Sequence, residues 1–316
     1  MAQTETPPLL KGRQILDCST LLPGPFLGKL LAQKGARVLK IESPSRPDPA
    51  RAIGSGAYYE DLNSCKELVA LDLTRAEDLE QFHRLVRGSD GLIEGFRPKA
   101  KLKLGLDEKT LHSINPKLCI ISLVGYPEDG PWRERAGHDL NFQALTGCLS
   151  LFREMPGIAF ADLFSAYEGA LSLVSALDAV SRGAPGRRIV VSMSETLREI
   201  QSKYVLEFER TGQLPLPGET LISGKYPCYQ IYLASDGRKI AVGAIESKFW
   251  KRVCEILGQP EFSELGLATG ELGEEIKRKT QLAFGAQSGS HWKTLFDSAD
   301  CCVEPVLNYQ DIKNGL

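Results

Sequence analysis

Short apolar segments alternate with segments of helical periodicity through the first two thirds of the chain. An apolar strand is predicted at residues 14–18, and an apolar helix follows the turn Pro23-Gly24-Pro25. Strands separated by helices of about ten residues are typical of parallel βαβ units. The almost unbroken apolar run at 118–124 is expected for a strand covered on both faces of a sheet. Further strands are predicted at 37–42, 68–73, 91–96, 118–125 and 188–193, and further helices at 75–86, 108–114, 140–151, 162–180 and 195–209.

A second, smaller domain is predicted from residue 211 onward. Residues 211–224 are rich in proline and glycine, as linkers are. Strand patterns at 226–234 and 239–245 flank Ser235-Asp236-Gly237-Arg238 and predict an antiparallel hairpin. Helices are predicted at 247–257, 271–287 and 291–297, and a closing strand at 303–309. The pattern therefore predicts an α/β fold, with a Rossmann-like doubly wound parallel-sheet domain at residues 1–210 and a smaller α+β domain at residues 211–316.

Composition narrows the class of protein. The 316 residues carry 38 Lys and Arg against 40 Asp and Glu, a formal net charge of −2, so nucleic acid is not an expected partner. No run of about 18 uncharged apolar residues occurs, and the N-terminus lacks the basic-then-apolar pattern of a signal peptide. We therefore expect a cytoplasmic protein that does not bind a membrane. Eight scattered cysteines, without Cys-x-x-Cys or histidines at metal-ligand spacing, predict reduced thiols and no metal site.

The chemistry of the chain has few candidates. The motifs typical of dinucleotide, nucleoside triphosphate and serine hydrolase sites are absent from the sequence. A ligand is expected beyond the carboxyl ends of the parallel strands. Two ionisable residues lie at predicted helix starts there, His138 in Gly137-His138-Asp139-Leu140-Asn141 and Asp162 in Ala161-Asp162-Leu163. Composition alone favours a helix-capping role for Asp162 and a satisfied structural position for His138.

Glu246 follows the predicted strand 239–245 and is, by itself, an ordinary solvated glutamate. A histidine, an aspartate and a glutamate at the ends of elements in two domains could instead form an acid–base site in a cleft. Basic residues cluster near the ends of the second and fourth strands. Most are expected on solvated surface, although a multiply phosphorylated cofactor would favour such a cluster. They are Lys40, Arg46, Arg51, Arg97, Lys99, Lys101 and Lys103.

Several short motifs are spread along nearly the whole chain. They are Ile15-Leu16-Asp17, Pro23-Gly24-Pro25, 34–42, Leu71-Asp72-Leu73, 94–98, Leu104-Gly105-Leu106 and Asp129-Gly130-Pro131. With these motifs the chain resembles the class III CoA-transferase and α-methylacyl-CoA racemase superfamily, the CaiB/BaiF type. Three further segments resemble the racemase branch. They are residues 136–142, 161–163 and 242–246.

The resemblance implies roles for three residues. In the racemases, the residues matching His138 and Asp162 act as bases on opposite faces of the substrate, and the residue matching Glu246 pairs with the histidine. The expected reaction is inversion of the 2-position of a 2-methylacyl-CoA thioester by two-base proton transfer through an enolate. In the transferases, the residue matching Asp162 attacks the thioester carbonyl instead, which is the first alternative. A catalytically silent acyl-CoA-binding homologue is the second.

The resemblance also implies the ligand and the assembly. Coenzyme A enters as part of the substrate thioester, so no separate cofactor is expected. An interlocked homodimer is implied, with each cleft built from the large domain of one subunit and the small domain of the other. Phe164 and Tyr167 stand where glycines are common in the family, which predicts a narrower acyl pocket. The CoA contacts carry over onto Leu71, Asp72, Leu73, Thr74, Gly95, Phe96, Arg97, Lys103, Gly137, Asp139 and Asn141.

Overall fold

The computed structural model describes residues 8–314, which form two compact units. The first unit contains the described residues up to Leu149 together with Met155–Leu206. The second contains Ser150–Glu154 and the described residues from Glu207 onward. Separate clusters of buried apolar side chains lie within each unit.

A six-stranded sheet forms the centre of the first unit. Its strands are β1 Gln14–Asp17, β2 Arg37–Glu42, β3 Glu67–Ala70, β4 Gly91–Glu94, β5 Cys119–Val124 and β6 Arg188–Ser192. They run in the order β3-β2-β1-β4-β5-β6, and every neighbouring pair is parallel. The predicted parallel α/β sheet is confirmed. The strand order reverses between β1 and β4, which is where doubly wound sheets usually bind ligands.

Helices cover both faces of this sheet. Ile15 and Leu16 are adjacent in β1 and both fully buried, Ile15 against α1 and α7 and Leu16 against α3 and α5. Since successive side chains of a strand point to opposite faces, this burial requires two helical layers. The helices are α1 Pro23–Gln33, α2 Ala57–Asn63, α3 Ala76–Arg87, α4 Pro98–Lys103, α5 Glu108–Ile114, α6 Asp139–Leu145, α7 Phe160–Ser181, α8 Met193–Ile200 and α9 Ser202–Thr211.

Helix α7 is apolar on two sides. It packs on α1 and on the sheet, and Leu173 is fully buried there. Its 22 residues are long and apolar enough to cross a membrane by length and composition, and one third of its most apolar window is buried within the protein. Large apolar side chains on a second face of the helix are exposed, namely Phe164, Tyr167, Leu171 and Val174.

The second unit is a small antiparallel sheet covered by helices. Its elements are β7 Tyr229–Leu233, β8 Lys239–Gly243, α10 Ser247–Ile256, α11 Gly270–Phe284, α12 Gly289–Phe296, β9 Val303–Pro305 and α13 Tyr309–Lys313. The strands run in the order β7-β8-β9, and the predicted β7–β8 hairpin is confirmed. Trp250, Phe284 and Trp292 fill its core.

Several predicted boundaries are wrong. The predicted strand 303–309 stops at Pro305, because Asn308 accepts the Gln310 and Asp311 N–H groups and starts α13 instead. The predicted helix 195–209 is divided between α8 and α9 at Gln201, whose buried amide donates to the Leu197 carbonyl. The short helices α2 and α4 were not predicted.

A buried ion pair joins β1 to the segment before β3. The Lys66 Nζ lies 2.8 Å from Asp17 Oδ2, and neither side chain is exposed to solvent. Lys66 also donates to the Pro25 carbonyl at 2.7 Å and to Asn63 Oδ1 at 2.9 Å. All three N–H groups of the Lys66 ammonium thus have a hydrogen-bond acceptor, and the lysine holds the start of α1 against the sheet.

A second buried pair fixes the loop that follows β1. Lys40 Nζ lies 3.1 Å from Asp48 Oδ2 and donates to the Ser19 carbonyl. Asp48 Oδ1 accepts the Leu21 N–H at 3.0 Å, and Leu21 has a φ of 66°, a left-handed conformation that costs about 1–3 kcal/mol for such a residue. These bonds hold the loop in a conformation that it would not adopt unaided.

Five of the seven residues of the basic cluster are exposed, as predicted, and two are buried. Lys40 is almost fully buried as described, and Lys101 is buried 3.1 Å from Glu94 at the end of β4. Arg51 is also engaged, since its guanidinium pairs with Glu42 at 2.6 Å. These cations neutralise carboxylates at the carboxyl edge of the sheet.

We predict that Lys66→Met strongly destabilises the first unit. The change leaves the Asp17 carboxylate buried without its counter-charge, and breaking a buried pair in this way typically costs about 3–5 kcal/mol. Urea unfolding measures the loss. Arg37→Met is the matched control, because Arg37 and Glu67 form an exposed pair at 57% and 56% side-chain exposure, worth less than about 1 kcal/mol. Equal losses for both variants would contradict the prediction.

Candidate active site

A cleft of about 530 Å³ opens in the first unit at the carboxyl edge of the sheet. Its walls include residues 18–24 after β1, 95–98 after β4 and 123–126 at the end of β5. The cleft therefore lies at the reversal of strand order, where the doubly wound topology places a ligand. The loop after β1, which the buried ion pairs hold, forms one wall.

His138 and Asp162 line this same cleft. His138 precedes α6 and is exposed, and its backbone N–H donates to Asn141 Oδ1 at 3.0 Å. Asp162 is partly buried in the first turn of α7. Although 24 positions separate them in the sequence, the structure brings the two predicted catalytic residues of the first unit into one pocket.

Asp162 does not cap its helix, so the capping interpretation is wrong. Helix α7 begins at Phe160, and its N-cap residue is Ala159. The free N–H groups of the first turn bind another carboxylate: Asp139 Oδ1 accepts from Ala161 at 2.8 Å and from Asp162 at 3.3 Å. The Asp162 carboxyl group is therefore available to the cleft.

Asp162 has an unusual proton affinity. Burial, and after it the negative charge of Asp139, raises the pKa of Asp162 from its ordinary 3.8 to about 7. Near neutral pH this carboxyl group is therefore divided between its acid and carboxylate forms. A group that both donates and accepts a proton at the working pH is suited to general acid–base chemistry.

Two glycines allow the wall beside His138 to pack closely. A Cβ atom at Gly137 would lie 2.8 Å from the Phe142 ring and 3.0 Å from the Tyr126 hydroxyl oxygen. A Cβ atom at Gly125 would lie 2.7 Å from Phe142. Any larger residue would push Phe142 away, so these glycines fix the position of the segment that carries His138.

Tyr58 is a cleft residue that sequence reasoning missed. Burial raises the pKa of its hydroxyl group to about 12, and the next contribution is the charge of Asp162. The two side chains are therefore electrostatic neighbours. Tyr58 lies in α2, whose seven residues are too few to show helical periodicity in the sequence.

Three arginines line the cleft, Arg97, Arg133 and Arg135. Among residues 8–314, none of them lies within 4.0 Å of a carboxylate oxygen, whereas Lys40, Lys101 and Arg51 are paired. Arg97 was predicted, but Arg133 and Arg135 were missed because they follow no recognisable element. Unpaired guanidinium groups at a cleft suit an anionic ligand such as a phosphate ester.

The predicted CoA contacts fall into two groups. Gly95, Phe96, Arg97 and Gly137 line the cleft with His138. The others do not line it. In the turn after β3, Leu71 is buried in the core, Leu73 packs against it, and Asp72 and Thr74 form a hydrogen bond with each other. Lys103 is exposed at the end of α4. Asp139 accepts an N–H group at the start of α7, and Asn141 accepts the His138 N–H. Their contacts with CoA stay predictions.

Two further expectations concern side chains on other faces. Phe164 and Tyr167 lie on the exposed face of α7, and neither lines the described cleft, so the narrowing of the acyl pocket by these residues stays a prediction. Helical geometry turns them away from Asp162, which points into the cleft.

Glu246 is exposed at the start of α10 in the second unit, and its pairing with His138 stays a prediction.

Comparisons with known proteins agree with this description. A sequence model of CoA-transferase family III matches residues 10–315. Alpha-methylacyl-CoA racemase from Homo sapiens is 31% identical over 96% of this chain and 79% of that protein. Succinate–glutarate CoA-transferase from Agrobacterium fabrum is 29% identical over 79% of this chain and 67% of its own. The crystal structure of a CAIB/BAIF family protein from Brucella suis matches 97% of this chain and 86% of that one, with a TM-score of 0.80 and 25% identity.

We predict that Asp162→Asn stabilises the protein more at high pH than at low pH. Because the folded pKa lies above the unfolded one, the wild type loses stability as pH rises from 3.8 to about 7, and asparagine does not titrate. The thermal midpoints of both proteins at about pH 5 and pH 8 test this. Asp178→Asn is the control, since Asp178 lies exposed in the same helix beside Arg182. A stability difference independent of pH would contradict the pKa assigned to Asp162.

Proposed function

Because the chain belongs to CoA-transferase family III, we propose that it inverts the 2-position of a 2-methylacyl-CoA thioester by moving a proton between two bases. The observation that carries the proposal is the presence of His138 and Asp162 in one cleft, with the pKa of Asp162 near neutral pH. A racemase needs one acid and one base at the same pH, in either direction of the reaction. A carboxyl group that titrates at about 7 supplies either form.

The proposed reaction has two proton transfers. One residue takes the α-proton, and the electron pair of the broken C–H bond moves onto the thioester oxygen to give an enolate. The other residue then returns a proton to the opposite face of the planar carbon, which inverts the 2-position. His138 and Asp162 exchange these roles when the direction reverses, and Glu246 would orient the imidazole. No cofactor is needed beyond the CoA that the substrate carries.

The negative charge on the enolate oxygen needs hydrogen-bond donors, and the start of α6 offers two of them. The backbone N–H groups of Asp139 and Leu140 form no hydrogen bond within residues 8–314. They follow His138 directly in the chain, which places them next to one of the two proposed bases. Donors of this kind contribute about 3 kcal/mol each to transition states in other enzymes.

Positive charge in the cleft supports CoA as the carrier of the acyl group. Coenzyme A bears several phosphate oxygens, and Arg97, Arg133 and Arg135 present unpaired guanidinium groups to the cleft. Arginine binds phosphate through two parallel hydrogen bonds, which gives orientation as well as affinity. Phosphate binding by these arginines would leave the apolar residues of the same cleft, such as Leu21, Leu22 and Phe142, for the acyl group.

CoA transfer is the second candidate function, favoured by the similarity to named CoA-transferases. In that reaction the Asp162 carboxylate attacks the thioester carbonyl, the C–S bond breaks, and CoA leaves as a thiolate while a mixed anhydride forms. Ionised Asp162 exists in quantity only above its pKa of about 7. A transferase would therefore gain activity with rising pH and would not require His138. A protein that binds acyl-CoA without turnover is the remaining alternative.

We also propose a homodimer. The exposed apolar face of α7, formed by Phe164, Tyr167, Leu171 and Val174, supports a protein partner, since a contiguous face of this kind is uncommon on a monomer. Helix α9 adds exposed apolar side chains at Val205, Leu206 and Phe208. A second copy of the chain is the occupant that the family resemblance implies.

We predict that the protein exchanges the 2-proton of a 2-methylacyl-CoA for deuterium in D₂O with no carboxylate acceptor present. Proton NMR of the thioester follows the exchange. His138→Ala and Asp162→Ala should each lower inversion by about 10²–10⁴-fold, and the double variant should be little worse, because each change removes half of one proton relay.

His291→Ala serves as the control, because His291 is exposed on α12 in the second unit. CoA transfer to an added carboxylic acid, with Asp162→Ala inactive and His138→Ala active, would replace the racemase proposal by the transferase. Binding of the acyl-CoA without proton exchange and without CoA transfer would support the catalytically silent homologue.

We predict that Leu171→Lys weakens the dimer. The lysine places a charge on the exposed apolar face of α7, and sedimentation velocity across a dilution series should show a larger monomer fraction than in the wild type. Leu282→Lys, also at an exposed leucine but on α11, should leave the assembly unchanged. A wild-type protein that is monomeric and fully active at all concentrations would refute the homodimer.

A further inference from the structure

The Asp139 carboxylate touches the segments of both proposed catalytic residues. It follows His138 in the chain, and its Oδ1 accepts the N–H groups of Ala161 and Asp162 in the first turn of α7. We propose that Asp139 is a positioning residue that holds His138 and Asp162 at a fixed spacing across the cleft. This inference rests on the proposed function of those two residues.

A second contact of Asp139 strengthens the connection. Its Oδ2 accepts from Gln143 Nε2 at 2.5 Å, and the same Nε2 lies 3.2 Å from the Ile158 carbonyl oxygen. Gln143 is almost fully buried. The start of α6 and the entry to α7 are thus joined at Ile158, Ala161 and Asp162 by one carboxylate and one amide. Neither end can shift without breaking a bond to the other.

Capping alone does not require a carboxylate at this position. Serine, threonine or asparagine also accepts N–H groups at a helix start. A carboxylate here places a negative charge beside the Asp162 carboxyl group, and like charges disfavour ionisation of the neighbour. The carboxylate therefore has an effect that a neutral acceptor would lack: its charge keeps a proton on Asp162 at a higher pH.

The other charged and titratable groups around Asp162 do not duplicate this role. The main ones in the cleft are Tyr58, Arg97, Glu128, Arg133, Arg135 and His138. Three are arginines, which favour ionisation of Asp162, and Tyr58 is neutral near pH 7, as tyrosine ordinarily is, with its pKa raised further to about 12. Glu128 forms an ion pair with Arg188 at 2.5 Å. Asp139 is the carboxylate whose charge acts on Asp162 directly.

Two substitutions separate the geometric effect from the charge effect. Asp139→Asn removes the charge and keeps an oxygen acceptor for the α7 N–H groups, although its NH₂ group cannot accept from Gln143 as Oδ2 does. Asp139→Ala removes both. Asp107→Asn is the matched control, because Asp107 caps α5 by accepting the Thr110 N–H at 3.0 Å and does not line the cleft.

The first readout needs no substrate. The infrared carboxyl band of Asp162, identified by difference against Asp162→Asn, is titrated in each variant. In Asp139→Asn the midpoint should move to lower pH, and in Asp107→Asn it should stay at the wild-type value. An unchanged midpoint in Asp139→Asn would overturn the electrostatic part of the role, whether or not the protein is a racemase.

The second readout is the rate of deuterium exchange as a function of pH. In Asp139→Asn, the part of the pH–rate profile that reports ionisation of Asp162 should shift to lower pH by the same amount as the infrared midpoint. Its maximal rate should be similar to that of the wild type. Asp139→Ala should lower the maximal rate by about 10²-fold, since small misplacements of reacting groups have effects of this size. A wild-type maximal rate in Asp139→Ala would overturn the positioning role. If Asp139→Ala does not fold, Asp139→Glu replaces it, because the longer side chain keeps the charge but displaces the carboxylate by one methylene group. A wild-type maximal rate in Asp139→Glu would then overturn the positioning role.

Discussion

Buried charge at the carboxyl edge of the parallel sheet has to be neutralised from within, and this constraint shapes the first unit. Asp17 and Glu94 end two adjacent strands and are almost inaccessible to solvent. Each is paired with a lysine from a connecting segment, Lys66 or Lys101. An unpaired buried ion costs several kcal/mol, so these connections cannot relax away from the sheet. Lys66 and Lys101 thereby hold the segments beside the cleft against the sheet.

Burial and neighbouring charge also set the pKa of Asp162 in the cleft, but they shift it in the direction opposite to that of Asp17. Burial acts to raise the pKa of both Asp17 and Asp162, but Lys66 and Lys40 outweigh it at Asp17, whose pKa is lowered overall. At Asp162 the nearby charge is that of Asp139, so burial and repulsion act together. One aspartate is thereby a permanent anion and the other a reversible acid. The difference lies in which side chain the fold brings next to each carboxyl group.

The sequence predicted the features that depend on local pattern. The six parallel strands and the β7–β8 hairpin follow from alternation of apolar segments, and the placement of His138 and Asp162 near the carboxyl edge follows from the topology. What it missed depends on contacts between distant positions. Asp139 meets Ala161 across 22 residues, which no periodicity reports, so composition alone favoured a capping role for Asp162. Lys40 and Lys101 looked like surface charges because their partners lie on other segments.

The divided protonation of Asp162 has a thermodynamic consequence for any ligand of the cleft. A bound molecule that displaces water from around the carboxyl group removes more of its hydration and raises its proton affinity further. Binding near neutral pH is then accompanied by uptake of a fraction of a proton from the buffer. The heat measured by calorimetry would contain the ionisation enthalpy of that buffer, and its dependence on buffer identity would count the protons taken up. Because Asp162 is partly protonated near neutral pH, the affinity of the cleft for its ligand depends on the pH of the surrounding solution.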